Sequence, residues 1–119
     1  LKFMKKSLKI NKKLGNSNEV ALRYNNIGFL YEIQGNHEIA LKFYNKALII
    51  DSKIGNIYGI ARDKNNIGLI FKRQGKKKKA LIELRNSLKI LRENNLNQLT
   101  LTKKIEENIE AIKRDFEIN

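Results

Sequence analysis

Chemistry-bearing side chains are few in this 119-residue chain, and most are amides or ammonium groups. Asn25-Asn26 returns as Asn65-Asn66 forty residues later. A carboxamide holds two donors and an acceptor on one planar group, which suits it to hydrogen-bond a polypeptide backbone. Arg62 and Arg73 add guanidinium forks able to grip a carboxylate through two bonds. Lys76-Lys77-Lys78-Lys79 is a run of four ammonium groups, a candidate for anion binding. Catalysis is poorly provided for. His37 is the only histidine, and neither a nucleophile nor an orienting partner can be assigned to it. With no cysteine and no clustered acidic ligands, no metal site is expected either. The reading is therefore no enzyme, no metal and no cofactor, but a surface that binds.

The repeated amides belong to a longer echo. Asn25-Asn26-Ile27-Gly28, Gln34-Gly35, Ala40-Leu41 and Leu48 recur as Asn65-Asn66-Ile67-Gly68, Gln74-Gly75, Ala80-Leu81 and Leu88. Residues 21–60 match 61–100 at 11 of 40 positions, mostly small, apolar or turn residues. Residues 1–20 match 41–60 in the same way, with Leu1-Lys2-Phe3 against Leu41-Lys42-Phe43 and Gly15-Asn16 against Gly55-Asn56. A fixed period of this size signals an array of helical hairpins, and such arrays mostly bind other molecules.

Periodicity supplies the elements that must position the amides. Tyr24, Ile27, Gly28 and Tyr31 follow i, i+3, i+4, i+7, one face of a helix predicted over 17–34. Asn16 with Glu19 reads as its capping box, Gly35 as its left-handed terminus, and Asn36 as the cap of the next helix. That second helix, 37–53, carries Ala40, Tyr44, Ala47 and Leu48 on one stripe and closes at Gly55-Asn56. Gly28 and Ala40 serve by being small, because they let two antiparallel helices approach closely. In the next unit Ile67, Gly68 and Phe71 repeat the first stripe, and Ala80, Leu84, Ser87 and Leu88 the second. Residues 1–14 read as the second helix of a unit lacking its first, with Met4, Ser7 and Leu8 in place of Tyr44, Ala47 and Leu48. An apolar flank left without a mate would favour pairing with another copy, a homo-oligomer through this N-terminal helix. Leu101, Ile105, Ile109, Ile112 and Phe116 form a last stripe over 97–117, opposite Glu106, Glu107 and Glu110, as a capping helix would. The expected fold class is all-α, an α-solenoid of antiparallel hairpins. Its divisions are 1–16 (truncated repeat), 17–55 and 56–95 (full repeats) and 96–119 (capping helix). Because it opens in mid-repeat with its first Met at Met4, the chain is expected to be part of a longer array.

A helix with Tyr24, Ile27, Gly28 and Tyr31, then Gly35, then a helix with Ala40, Tyr44 and Ala47, resembles a tetratricopeptide repeat in its 40-residue-period variant. It is similar to the arrays of kinesin light chains, Leu-Gly-Asn-repeat polarity adaptors and many bacterial peptide sensors, over about 1–95. The resemblance implies a right-handed superhelix acting as a non-enzymatic scaffold that captures a protein or peptide in a concave groove lined by first helices. The face opposite the packing stripe holds Leu22, Asn25, Asn26, Phe29 and Ile33, then Arg62, Asn65, Asn66, Leu69 and Arg73 one unit later. Asn26 and Asn66 match the family's groove-facing Asn. For Asn25 and Asn26 local helix-to-helix hydrogen bonds are the competing reading, and a solvated face competes for both arginines. A carboxylate clamp draws on three successive units, and only two complete first helices are present. Departures are Lys64 for Tyr24, Leu84 for Tyr44, Ser87 for Ala47, and no proline after the second helix.

The net charge is +13, unevenly spread: +5 over 1–20, +1 over 21–60, +8 over 61–100 and −1 over 101–119. Such basicity favours acidic partners, whether carboxylate-rich peptides, nucleic acid or anionic lipid. Binding of nucleic acid or an anionic surface through the basic second repeat is the alternative function, although no nucleic-acid motif accompanies it. Consecutive lysines on a helix fan out by ~100° each, so Lys76–Lys79 form no single flat face. Positive charge at a helix N-terminus also costs a few tenths of a kcal/mol or more, while a solvated run remains the plainer reading. No stretch is apolar enough for a membrane span. The lack of cysteine permits a reducing compartment, and the cytoplasm is the expected location.

Overall fold

The computed structural model describes residues 16–118, with side chains to Phe116. The helix expected over 1–14, and the packing roles of Met4, Ser7 and Leu8, lie outside the described residues. Five helices and no strand make up the rest: α1 (Asn16–Ile33), α2 (His37–Ile54), α3 (Ile57–Arg73), α4 (Lys77–Glu93) and α5 (Thr100–Ile118). The fold is an all-α helical repeat. The first two helices follow the sequence reading to within a residue, as far as helix ends are ever defined, whereas the last, expected over 97–117, begins three residues later. One correction concerns Asn16, expected as a cap, which is itself the first helical residue of α1.

Punctuation comes every twenty residues. Gly35, Gly55 and Gly75 have φ of 81°, 69° and 78°, and Asn95 takes the same left-handed conformation at 59°. At Gly35 the glycine N–H reaches Glu32 O at 2.9 Å and the Asn36 N–H reaches Tyr31 O at 2.9 Å. These bonds satisfy carbonyls that the ending helix leaves over. The same pair recurs at 75–76 and at 95–96. Asparagine is the non-glycine residue best suited to that conformation.

The described residues form two compact units divided after Ile60, within α3. In the first, α1 and α2 are joined by a three-residue turn and pack as an antiparallel pair. A Cβ at Gly28 would lie 2.8 Å from two ring carbons of Tyr44 and 3.2 Å from Ala40 O. The missing side chain thus lets the fully buried Tyr44 ring lie against α1. Tyr24 and Tyr31 flank Phe43, the Tyr31–Phe43 pair being stacked with centroids 5.7 Å apart. Asn36 caps α2 by accepting the Ile39 N–H at 3.3 Å. Asn56 caps α3 by accepting the Gly59 N–H at 3.3 Å, and its amide donates to Asp51 Oδ1 at 3.1 Å. Asp51 is fully buried, and a Cβ at Gly59 would stand 2.5 Å from its carboxyl carbon.

In the second unit, Leu84 replaces the tyrosine ring, and a Cβ at Gly68 would lie 3.0 Å from its Cγ. The core joins Ala61, Ala80, Leu84, Leu88 and Leu91 to Leu101, Ile105, Ile109 and Ile112 of α5. The stripe expected along the last helix is therefore the face that packs, except at Phe116, which remains 42% exposed. Ser87, in the place of Ala47, is accommodated in full burial by donating its hydroxyl to Ala61 O at 2.7 Å. Lys64 reaches Glu83 Oε2 at 3.7 Å. Forty residues earlier those two positions hold Tyr24 and Phe43, so an ion pair stands where the first unit has an aromatic contact.

Candidate partner-binding surfaces

On α1, the residues facing away from the hairpin are large, apolar and open to solvent. Leu22 is 45% exposed, Phe29 53% and Ile33 67%. With Asn26, also exposed, they follow i, i+4, i+7, i+11 along one helical stripe. Asn26 and Leu22 line a shallow depression of about 260 Å³ together with Glu19 and Arg23. An amide among apolar side chains in a concavity can hydrogen-bond a backbone while its neighbours exclude water. Asn25, about 100° round α1 from Asn26, is buried.

On α3 the equivalent positions are more polar and less open. Arg62, Asn66 and Leu69 are half-buried, and Arg73 is exposed. Arg62 places Nε and a terminal guanidinium nitrogen each 3.2 Å from Oδ1 of the fully buried Asp63, so part of its fork is engaged within α3. Asn65 is buried and accepts a hydrogen bond from the Asn108 amide of α5 at 3.3 Å. That contact is a hydrogen bond between two helices of the second unit. Asn108 itself stands outside every repeat motif, and sequence reasoning missed it.

The four lysines occupy the turn before α4 and its first residues. Lys76 stands where α2 and α3 have capping asparagines, and a lysine cannot accept the N–H bonds they accept; its side chain caps nothing. They form no flat face, as the 100° fan requires. The structure nevertheless gathers them around one concavity of about 390 Å³, walled by Gly75, Lys76, Lys77, Lys78, Lys79 and Phe116. Lys76 and Lys79 hold their ammonium groups 6.0 and 5.8 Å from the centre of the Phe71 ring, and Lys77 lies 5.5 Å from that of Phe116. Phe116 joins the lysines from a helix forty residues away in sequence, which is why no local motif announced it.

His37 is half-buried at the start of α2. Among the described residues no group of three or more His, Cys, Asp or Glu is placed to hold a metal ion, and no helix is long and apolar enough to cross a membrane. A search of curated proteins returned no match. The model of the tetratricopeptide repeat family matches residues 19–93, which takes in α2, α3 and α4 whole and all but the first turn of α1. With paired helices, small residues at the close approaches and a forty-residue period already evident, that match establishes that the chain belongs to the tetratricopeptide repeat family.

Proposed function

We propose that this chain is a non-enzymatic scaffold that captures a segment of a partner protein on the outward face of its first helices. Tetratricopeptide repeats generally mediate protein–protein interaction. The observation that carries the finer reading is the exposed stripe of α1, where Leu22, Phe29 and Ile33 surround Asn26. A surface stripe of large apolar residues is costly to leave in water, and contiguous patches of this kind mark interaction sites. Asn26 supplies direction, because its amide can pair with the backbone of whatever covers the stripe. Asn66, Leu69, Arg62 and Arg73 offer the second unit's counterpart, whose basic character suits an acidic segment. The array is organised in this reading as 17–55 and 56–95, with 96–119 closing it.

The test is affinity capture from cell extract with the wild-type chain and with a variant carrying Asn26→Ala, Phe29→Ala and Asn66→Ala. Circular dichroism should be unchanged, since all three side chains lie at least partly in solvent. The set of recovered proteins should be lost. Equal recovery would overturn the proposal.

A second reading, nucleic acid or an anionic surface held by the basic second repeat, draws on the +8 net charge of 61–100. It requires retention of single-stranded RNA at low salt and a steep loss as salt rises. Pairing of two copies through residues 1–14 concerns side chains outside those described, and sedimentation at high concentration tests it.

A further inference from the structure

We infer that the concavity between Lys76–Lys79 and Phe116 is a docking pocket for an acidic peptide segment, one that inserts an apolar side chain between flanking carboxylates. This rests on the protein-binding reading above but uses different residues from the stripe of α1.

Charge complementarity selects the partner. From Lys64 to Ile82 the sequence holds seven cations and no carboxylate. None of Lys76–Lys79 forms an ion pair with a described residue; three of the four are seated over aromatic rings instead. An exposed ammonium–ring contact is weaker than a charge-assisted hydrogen bond to a carboxylate, so incoming acids can recruit these groups. The first repeat has Asn36-His37-Glu38-Ile39 at the same register, so the cluster belongs to the second repeat alone.

The walls decide what lies between the acids. A cavity of about 390 Å³ falls at the lower end of the range for ligand sites and far exceeds what a single carboxylate fills. Its surfaces are the Phe116 ring and the methylene stems of the lysines, which bury apolar area while their ammonium heads stay in water. A leucine-sized side chain fits that lining, and a purely acidic run would leave it wet. The frame is rigid. Ile105, Ile109 and Ile112 anchor α5 in the core, and the Lys76 N–H is fixed on Phe71 O at 2.8 Å.

The experiment is fluorescence polarisation of the full chain with a labelled peptide, Glu-Asp-Leu-Glu-Asp flanked by Gly-Ser, at physiological salt. Saturable binding is expected. Lys76→Gln with Lys78→Gln and Lys79→Gln should weaken it by roughly tenfold or more. Phe116→Ala and replacement of the peptide leucine by glycine should each weaken it several-fold, and combining them should cost little more than either alone. Phe116→Leu, which keeps an apolar wall, should retain binding. Asn26→Ala with Asn66→Ala should leave this affinity unchanged, so the pocket and the α1 stripe can fail separately. No saturable binding, or indifference to both Phe116→Ala and loss of the leucine, would overturn the assignment. Tighter binding of single-stranded oligouridine than of the peptide would overturn it in favour of nucleic acid.

Discussion

The hydroxyl of Tyr44 donates to Glu32 Oε1 at 2.6 Å, fastening a fully buried ring of α2 to the end of α1. One unit later the pair becomes Leu84 and Lys72. The hydroxyl and its acceptor are replaced together, so no polar group of that pair is stranded in the second hairpin. Tyr44→Phe removes one bond to a charged acceptor while preserving the packing. It should destabilise the chain by about 1.5 kcal/mol. Tyr44→Leu with Glu32→Lys imports the second unit's solution and should cost less than Tyr44→Leu alone. Urea denaturation of the three variants checks both statements.

The two helix-interior glycines should respond differently to alanine. In each case the gain in helix propensity is about 1 kcal/mol. At Gly28 the new Cβ meets two carbons of a rigid ring at 2.8 Å, and at Gly68 the branch carbon of Leu84 at 3.0 Å. Leu84, buried but held by no hydrogen bond, needs to shift by only a few tenths of an ångström, whereas the hydrogen-bonded tyrosine cannot move without giving up Glu32. Gly28→Ala should therefore lose about 1–2 kcal/mol net through overpacking, and Gly68→Ala should be close to neutral. Thermal melts of the two variants give the comparison, and equal losses would refute it.

The same contrast shows what was legible in the sequence. Gly28, Ala40 and Tyr44 announced the hairpin because helical periodicity and small size act locally and survive in both units. Gly35, Gly55 and Gly75 marked the turns because few other residues tolerate that backbone conformation. What escaped notice was pairing across helices: Glu32 with Tyr44, Asn108 with Asn65, Phe116 with the lysines. Such contacts join residues 12 to 43 apart with no shared motif. A register comparison holds part of the signal, since Tyr24–Phe43 and Lys64–Glu83 occupy matching positions with opposite chemistry. Of the residues expected to face a partner, Asn26 and Phe29 were readable as solvent-exposed from helical phase. The burial of Asn65 was not, because it depends on α5.

Lys76 leaves α4 without a side-chain cap, unlike Asn36 at α2 and Asn56 at α3. Lys76→Asn restores an acceptor for the first-turn N–H groups and removes a cation from the positive end of the helix dipole. It should stabilise the fold by about 1 kcal/mol. If the pocket beside Phe116 holds an acidic segment, the same change should weaken that binding, an opposition that a stability measurement and a polarisation titration expose together.

Asn56 tests whether a cap can be judged by residue type alone. As N-caps, asparagine and aspartate are nearly equivalent. Here the Asn56 amide also donates to Asp51 Oδ1 at 3.1 Å, beside Gly59, where a Cβ would collide with that carboxylate. Asn56→Asp keeps the acceptor for the Gly59 N–H but sets one carboxylate against another inside the structure. The variant should be destabilised by about 2 kcal/mol, because the second carboxylate repels a buried first one. Asn56→Ala loses the cap and the amide donor but adds no charge, and it should cost less. Denaturation midpoints of the two variants give the order; a smaller loss for Asn56→Asp would mean that Asp51 does not depend on this amide.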